Sequence, residues 1–287
     1  MKEILIVGIN SNIGKEIGKI LESKGKKVLG TTRIPEHATQ SNKIYLDLSK
    51  DVTEWEIPQN TDTVFFCTSV SNLKECRLNP TTSETVNVTS TLSILEKLAK
   101  NGVHTVFPSS TLVFDGSTPF QKTEDKKKPL TVYGKQKAKV EKRLGELPCN
   151  SIIRLSKVLG ENVPLFYSWI KRMNQSQDIH PFSDMKISPI PLKFVANFMI
   201  SIAEKRHCGI FHAGGNKDIS YYEIAHRIAR KLGTRLSLVK ETTAKKNGIP
   251  ENEIPLNTTL DTASSYSLAG MESPDVWDTI SKSTENL

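Results

Sequence analysis

Residues 4–14 read Ile4-Leu5-Ile6-Val7-Gly8-Ile9-Asn10-Ser11-Asn12-Ile13-Gly14, and the fold follows from how that run is punctuated. A continuous apolar stretch that stops at a glycine describes a strand covered on both faces, as in a parallel sheet. Beyond the turn, Ile13, Ile17, Ile20 and Leu21 recur at helical spacing, and the helix closes near Gly25. Strand, glycine turn and helix in that order bind a pyrophosphate at the helix N-terminus, through free backbone N–H groups and the helix dipole. The run from Gly8 through Asn10, Ser11, Asn12 and Ile13 to Gly14 is therefore the expected cofactor turn. Its middle glycine is replaced by Ser11, whose Cβ crowds the approach and whose hydroxyl offers a donor to phosphate.

Working outward, strands are expected at 27–32, 43–48, 63–67, 103–108 and 151–155, and a long helix runs over 80–101. Strand and helix alternate, which predicts an α/β, doubly wound parallel sheet of Rossmann type. After Gly160 the pattern loosens. Helices are expected at 166–174, 192–204 and 221–232 and a short strand at 210–213, while 178–191 is Pro-rich and reads as irregular. The division expected is a dinucleotide-binding domain over 1–158, to which 187–215 returns. A smaller substrate-binding lobe over 159–186 and 216–287 then covers the carboxyl edge of the sheet, where ligands of such folds bind.

The 287 residues, of which 37% are hydrophobic and 24% charged, suit a soluble globular protein with a sizeable core. The net charge of +8 is spread along the chain, densest at Lys126-Lys127-Lys128, with no basic stripe interleaved with aromatics. This favours small anionic ligands over nucleic acid. The four cysteines are far apart and lack Cys-x-x-Cys spacing, so they read as the reduced thiols of a cytoplasmic protein, with no metal site. The N-terminal apolar run is too short for a signal-peptide core, and the longest apolar run too short to insert in a membrane.

The second strand ends Gly30-Thr31-Thr32-Arg33 where NAD-binding chains of this kind carry an acid for the ribose. Thr32 and Arg33 instead favour a 2′-phosphate, and hence NADP (as NADPH) over NAD. Asp47-Leu48, at the end of the third strand, is placed to meet the adenine.

Farther along lies Tyr133-Gly134-Lys135-Gln136-Lys137. A tyrosine and a lysine four apart share a helix face, and an ammonium beside a phenol is expected to lower the phenol's pKa. Such a pair moves a proton to or from a substrate oxygen, while Lys137 also holds the nicotinamide ribose. Ser109-Ser110 follows the fifth strand, where a hydroxyl can polarise a carbonyl.

These stretches together resemble the extended short-chain dehydrogenase/reductases, most of all the dTDP-4-dehydrorhamnose reductase branch. Further matching segments are Asn79-Pro80 through Asn87-Val88, Ser109 to Gly116, Arg154-Leu155, His212 to Gly215 and the late Pro255 to Thr262. The resemblance implies Ser110, Tyr133 and Lys137 as the catalytic triad, with Cys67-Thr68-Ser69 lining the cofactor. It implies a nucleotide-diphosphate sugar as substrate, with Ser69, Asn87, Thr111, Leu112, Lys157 and Lys186 on the substrate side. Thr111-Leu112 stands where rhamnose reductases carry Asp-Tyr and where the dehydratases carry Asp-Glu, which argues against dehydration. Ile254-Pro255 replaces their Arg-Pro, and Asp184 to Pro189 keeps only part of the pattern.

The expected activity is reduction of a keto-sugar nucleotide by NADPH. The alternatives are an epimerase that retains its nicotinamide and a non-catalytic, NADP-binding regulatory subunit. The expected partners are the sugar nucleotide and, at most, a second copy of the chain.

Overall fold

The computed structural model describes residues 3–39 and 42–285. Seven parallel strands form the central sheet: β1 (Glu3–Val7), β2 (Val28–Thr32), β3 (Lys43–Tyr45), β4 (Thr61–Phe66), β5 (His104–Ser110), β6 (Asn150–Leu155) and, from late in the chain, β10 (Gly209–Ala213). Their order is β10-β6-β5-β4-β1-β2-β3. The order in which strands are added therefore reverses between β1 and β4, and the crevice at such a switch point is where nucleotides bind. The Rossmann-type sheet expected from the sequence is the one observed.

Cover on both faces explains the apolar runs within these strands. Leu5, Val7, Val64, Phe66 and Phe107 pack with Ile94, Leu95 and Leu98 of α4 (Thr91–Lys100) and with Val140 and Leu144 of α5 (Val132–Leu144). Ile6, Phe65, Val106 and Ile153 point the other way. They meet Ile17 and Leu21 of α1 (Asn12–Ser23) and Val195, Phe198 and Met199 of α7 (Leu192–Glu204).

The helix expected over 80–101 departs from uniformity. It begins as α3 (Pro80–Glu84), passes through a π-helical segment (Thr85–Ser90) and continues as α4. That segment buries Asn87, Val88 and Ser90. Before it, α2 (Leu73–Leu78) has Asn72 as N-cap, its side chain accepting from the Glu75 N–H. The third strand stops at Tyr45 rather than running to Leu48.

A third core joins α6 (Pro164–Asn174), α8 (Tyr221–Leu232) and α10 (Val276–Lys282) through Phe166, Trp169, Ile224, Ile228, Val276 and Ile280. Ser220 and Glu223 form a reciprocal capping box at the start of α8, and Gly233 ends it in the left-handed region at φ 67°. The Pro-rich stretch expected to be irregular supplies two short strands. In it, β8 (Lys186–Ile187) pairs with β11 (Ile219–Ser220), and β9 (Pro189–Pro191) pairs with β7 (Lys157–Leu159). Within 216–287, α9 (Ala263–Ala269) sits on the sheet side, where Tyr266 packs edge-on to Phe194 and Phe198.

Candidate functional site

The turn after β1 is shaped by its glycines. Gly8 has φ 84°, and a Cβ there would lie 2.8 Å from Thr68 Cβ. A Cβ on Gly14 would lie 2.4 Å from the Gly8 carbonyl oxygen. Ser11, in the middle position, is the N-cap of α1: its Oγ accepts from the Gly14 N–H at 3.0 Å. The Ser11 substitution thus closes the turn, and the N–H groups of Asn12 and Ile13, which have no partner within a helix by position, remain to meet an anion. Thr31 and Thr32 brace the turn from β2. The Gly8 N–H donates to Thr31 Oγ1 (2.9 Å), and the Asn10 amide donates to Thr32 Oγ1 (3.0 Å). Thr32 is buried and its oxygen also accepts from the Ile34 N–H, so it acts as a brace beneath the cavity wall.

Two cavities share Ser11, Thr68 and Ser69. One, of about 390 Å³, is walled by Gly8, Asn10, Thr32, Arg33, Asp47 and Leu48 as well. The other, of about 530 Å³, takes in Asn12, Ile13, Cys67, Ser110, Thr111, Leu112, Tyr133, Lys137, Lys157 and Lys186. All but two of the residues singled out from the sequence therefore line one continuous groove along the carboxyl ends of the strands. Arg33 is exposed and lines the same cavity as Asp47, whose carboxyl is held low, against the effect of burial, by the Ser49 N–H and hydroxyl, with Lys50 and Arg33 adding less.

The exceptions are Gly14, which closes the turn from behind, and Asn87. Expected on the substrate side, Asn87 is buried and fully occupied. Its amide donates to Gln136 Oε1 (2.8 Å) and the Val70 carbonyl (2.9 Å), and its Oδ1 accepts from the Val70 N–H (2.8 Å). It ties the loop after β4 to α5, and the π-helical segment is what turns it inward.

At the triad, Ser110 Oγ accepts from the Leu112 N–H (3.2 Å), which leaves its own O–H for a ligand. Gly134 allows α5 to press against the preceding turn, since a Cβ there would lie 2.1 Å from the Leu112 carbonyl oxygen. Lys137 Nζ donates to the Pro108 carbonyl (2.9 Å) and sits 5.6 Å from the Tyr133 ring centroid. The phenol does not behave as its spacing to lysine suggests. Burial pushes Tyr133 up to about 12 against the hydrogen bond with Ser69, and burial pulls Lys137 down to about 8. Desolvation sets the direction at both groups, so Tyr133 is a protonated donor throughout the neutral range.

Three further features of the groove are set by contacts between distant segments. Glu253 lines it from the C-terminal segment, buried and paired with Arg77 Nε of α2 at 2.8 Å. Thr258 accepts from the Ser188 N–H (2.7 Å) and Thr111 donates to its carbonyl (3.3 Å). Met185 and Tyr221 close the far wall. Thr258 and Met185 fall in late stretches that the resemblance had already marked, whereas Glu253 and Tyr221 could be revealed only by the pairing of distant segments.

Behind the triad lies a buried charged cluster. Arg154 Nη2 meets Glu141 Oε2 at 2.9 Å, Ser109 Oγ donates to Glu141 Oε1 at 2.5 Å, and Lys127 Nζ lies 3.2 Å from Glu141 Oε2. Arg154 Nη1 also donates to the Thr123 carbonyl (3.0 Å) and lies 3.3 Å from His212 Nε2. His212 is fully buried, with Nδ1 3.1 Å from the Asp261 carbonyl, consistent with a packing residue. Burial and the Arg154 charge pull its pKa down to about 4.

The unfolded chain binds this proton near pH 6.5 while the folded chain refuses it until about 4. Stability is therefore lost as pH falls through that window, by about 2–3 kcal/mol between pH 7 and 4.5. Urea unfolding at the two pH values should show this loss, reduced in His212→Gln. Equal pH dependence in both proteins would refute the assignment.

Among the described residues no group of three or more His, Cys, Asp or Glu is arranged to hold a metal, and no helix is long and apolar enough to cross a membrane.

A family model described as RmlD substrate binding domain matches residues 1–286. The dTDP-4-dehydrorhamnose reductase of Aggregatibacter actinomycetemcomitans is 26% identical, the match covering 96% of each chain. Methionine adenosyltransferase 2 subunit beta of Bos taurus is 28% identical over 169 residues, which are 53% of this chain and 48% of that protein, so the match spans about half its length. Among solved structures, the dTDP-4-dehydrorhamnose reductase of Bacillus anthracis in complex with NADP superposes with a TM-score of 0.84. It is 16% identical, covers 100% of both chains and speaks for the fold.

Proposed function

We propose a function on the premise that this chain belongs to the RmlD substrate binding domain family, within the extended short-chain dehydrogenase/reductases: it is an NADPH-dependent reductase of a nucleotide-diphosphate keto-sugar. The observation that carries this reading is the single groove in which an anion-ready glycine turn, a 2′-phosphate candidate in Arg33, and Ser110, Tyr133 and Lys137 meet. A relative matched over 96% of both chains is a dTDP-4-dehydrorhamnose reductase, which supports the substrate class.

The N–H groups of Asn12 and Ile13 would hold the pyrophosphate and Arg33 the 2′-phosphate. Asp47 and Leu48 would flank the adenine, with Cys67, Thr68 and Ser69 beside the nicotinamide half. The cofactor, when bound, supplies the hydride. The Ser110 hydroxyl donates to the sugar carbonyl and polarises it. The buried Tyr133 phenol then delivers its proton to the same oxygen, and the Lys137 ammonium stabilises the phenolate left behind. Thr111, Leu112, Lys157 and Lys186 would meet the sugar nucleotide, the two lysines its diphosphate, under a lobe of residues 159–186 and 216–287.

The test is NADPH oxidation against a panel of 4-keto-sugar nucleotides: turnover that depends on added NADPH is expected. Turnover without added cofactor would instead indicate an epimerase. Arg33→Ser should weaken NADPH binding about 10–100-fold, the loss of a charged hydrogen bond to phosphate, and leave NADH binding unchanged. Equal weakening of both would remove Arg33 from this role.

A regulatory role is the second reading, favoured by the match to the methionine adenosyltransferase subunit. Such a protein would bind NADPH and a partner enzyme without consuming the cofactor.

A further inference from the structure

The buried cluster behind the groove is larger than an ion pair needs. Glu141 and Arg154 have almost no exposure, and an apolar pair of similar volume would cost less to bury. Glu141 also takes the Ser109 hydroxyl, the residue immediately before Ser110, and stands four residues beyond Lys137 on α5. We propose that Glu141 is a positioning residue: it anchors Ser109, and so the orientation of Ser110 at the end of β5, and it keeps Lys137 in its ammonium form.

The first half follows from strand geometry. Ser109 and Ser110 pair in register with Arg154 and Leu155 on β6. Successive side chains of a strand point to opposite faces. Pinning Ser109 Oγ to Glu141 therefore fixes the rotation of the strand end about its axis, which aims the Ser110 side chain.

The second half follows from an inventory of what faces Lys137. On α5 these are Tyr133 and, one helical turn beyond Lys137, Glu141; on β5 the Phe107 ring and the Pro108 carbonyl; and Cys67, which lines the same cavity, with Cys76 of α2 within electrostatic reach. Burial pushes the Cys67 thiol up to about 12 and also raises Cys76, and Tyr133 is likewise raised to about 12, so all three are neutral. Glu141 is the anion of this set. Burial works against its charge, but the Arg154 hydrogen bonds, the Ser109 hydroxyl and Lys127 hold its carboxyl below the usual range. Without it, only the neutral Pro108 carbonyl and the two aromatic faces would offset the desolvation of the Lys137 ammonium.

Two measurements on the full chain decide the matter. In protein labelled with 13C at the lysine ε-carbon, with Lys137 assigned by its loss in Lys137→Arg, the Lys137 titration midpoint should fall by about one unit in Glu141→Gln. An unmoved midpoint overturns the link to Lys137. Ser109→Ala keeps the Glu141–Arg154 pair, and so remains decisive if Glu141→Gln does not fold. It should lower kcat about tenfold with KM and the NADPH dissociation constant unchanged, the pattern of a misaimed Ser110, and an unchanged kcat overturns the anchoring role. The kinetic arm rests on the reductase reading, whereas the titration does not. Absence of wild-type turnover therefore refutes that reading, while the titration still decides the role of Glu141.

Discussion

Tyr133→Phe is expected to lower kcat by about 10²–10⁴, the usual worth of a positioned general acid, while NADPH binds as before. The separation follows from the structure. The phenol's hydroxyl meets Ser69 at the cleft wall, whereas the turn N–H groups and Arg33 lie elsewhere along the groove. The ring itself, buried with Lys137 Nζ over its face, remains in phenylalanine, so folding should be nearly unaffected. Because burial keeps Tyr133 protonated up to about 12, its own titration should not appear in a neutral pH–rate profile. The alkaline limb should instead follow Lys137, near 8, with activity present below that pH and lost above it. Steady-state kinetics and NADPH fluorescence on the two proteins check both points. Undiminished turnover in Tyr133→Phe would remove the proton-donor role. Undiminished binding to a partner enzyme, with no turnover in either protein, would support the regulatory reading.

The largest stability effect is expected at Arg154→Met. Removing this guanidinium leaves Glu141 buried with only Ser109 and the partly exposed Lys127. Breaking a buried pair on one side typically costs about 3–5 kcal/mol, because the remaining charge keeps its desolvation cost. Arg154 further holds the Thr123 carbonyl and stacks 5.0 Å from the Phe114 ring centroid, so the loop before α5 should loosen as well. The double variant Glu141→Leu, Arg154→Met should recover most of the loss, since neither charge then remains unpaired. Urea unfolding of the three proteins measures this. A single variant within about 1 kcal/mol of wild type would show that the cluster is hydrated rather than sealed.

Much of the frame was legible because its signals are local. Four apolar residues before Gly8 can only be covered on both faces, and the 3.6-residue period of α1, α7 and α8 marks their buried stripes without reference to any other part of the chain. Helix α7 falls at the predicted residues for this reason. The Pro-rich segment misled because β8 and β9 are two or three residues long, too short for any period to show. The π-helical segment was equally invisible: one added residue in a turn changes which side chains face inward but not the composition of the helix.

The candidate site divides along the same line. The glycine turn, Arg33, the Ser109-Ser110 pair, Tyr133 and Lys137 were identified by type and spacing, with Ser110 chosen from the pair by resemblance, and the fold brings them to adjoining cavities. Asn87 was chosen by resemblance, and tertiary contacts assign it instead to bracing Val70 and Gln136. By itself the sequence determined the parallel sheet, the glycine turn after its first strand and the Tyr133–Lys137 spacing, because each is written in local runs and short spacings of the chain. Only the tertiary structure decided the protonation of Tyr133 and Lys137, the burial of Glu141 beside Arg154 and the pairing of Arg77 with Glu253 across 176 residues. Those depend on desolvation and on contacts between distant segments, and neither leaves a period or a motif in the chain.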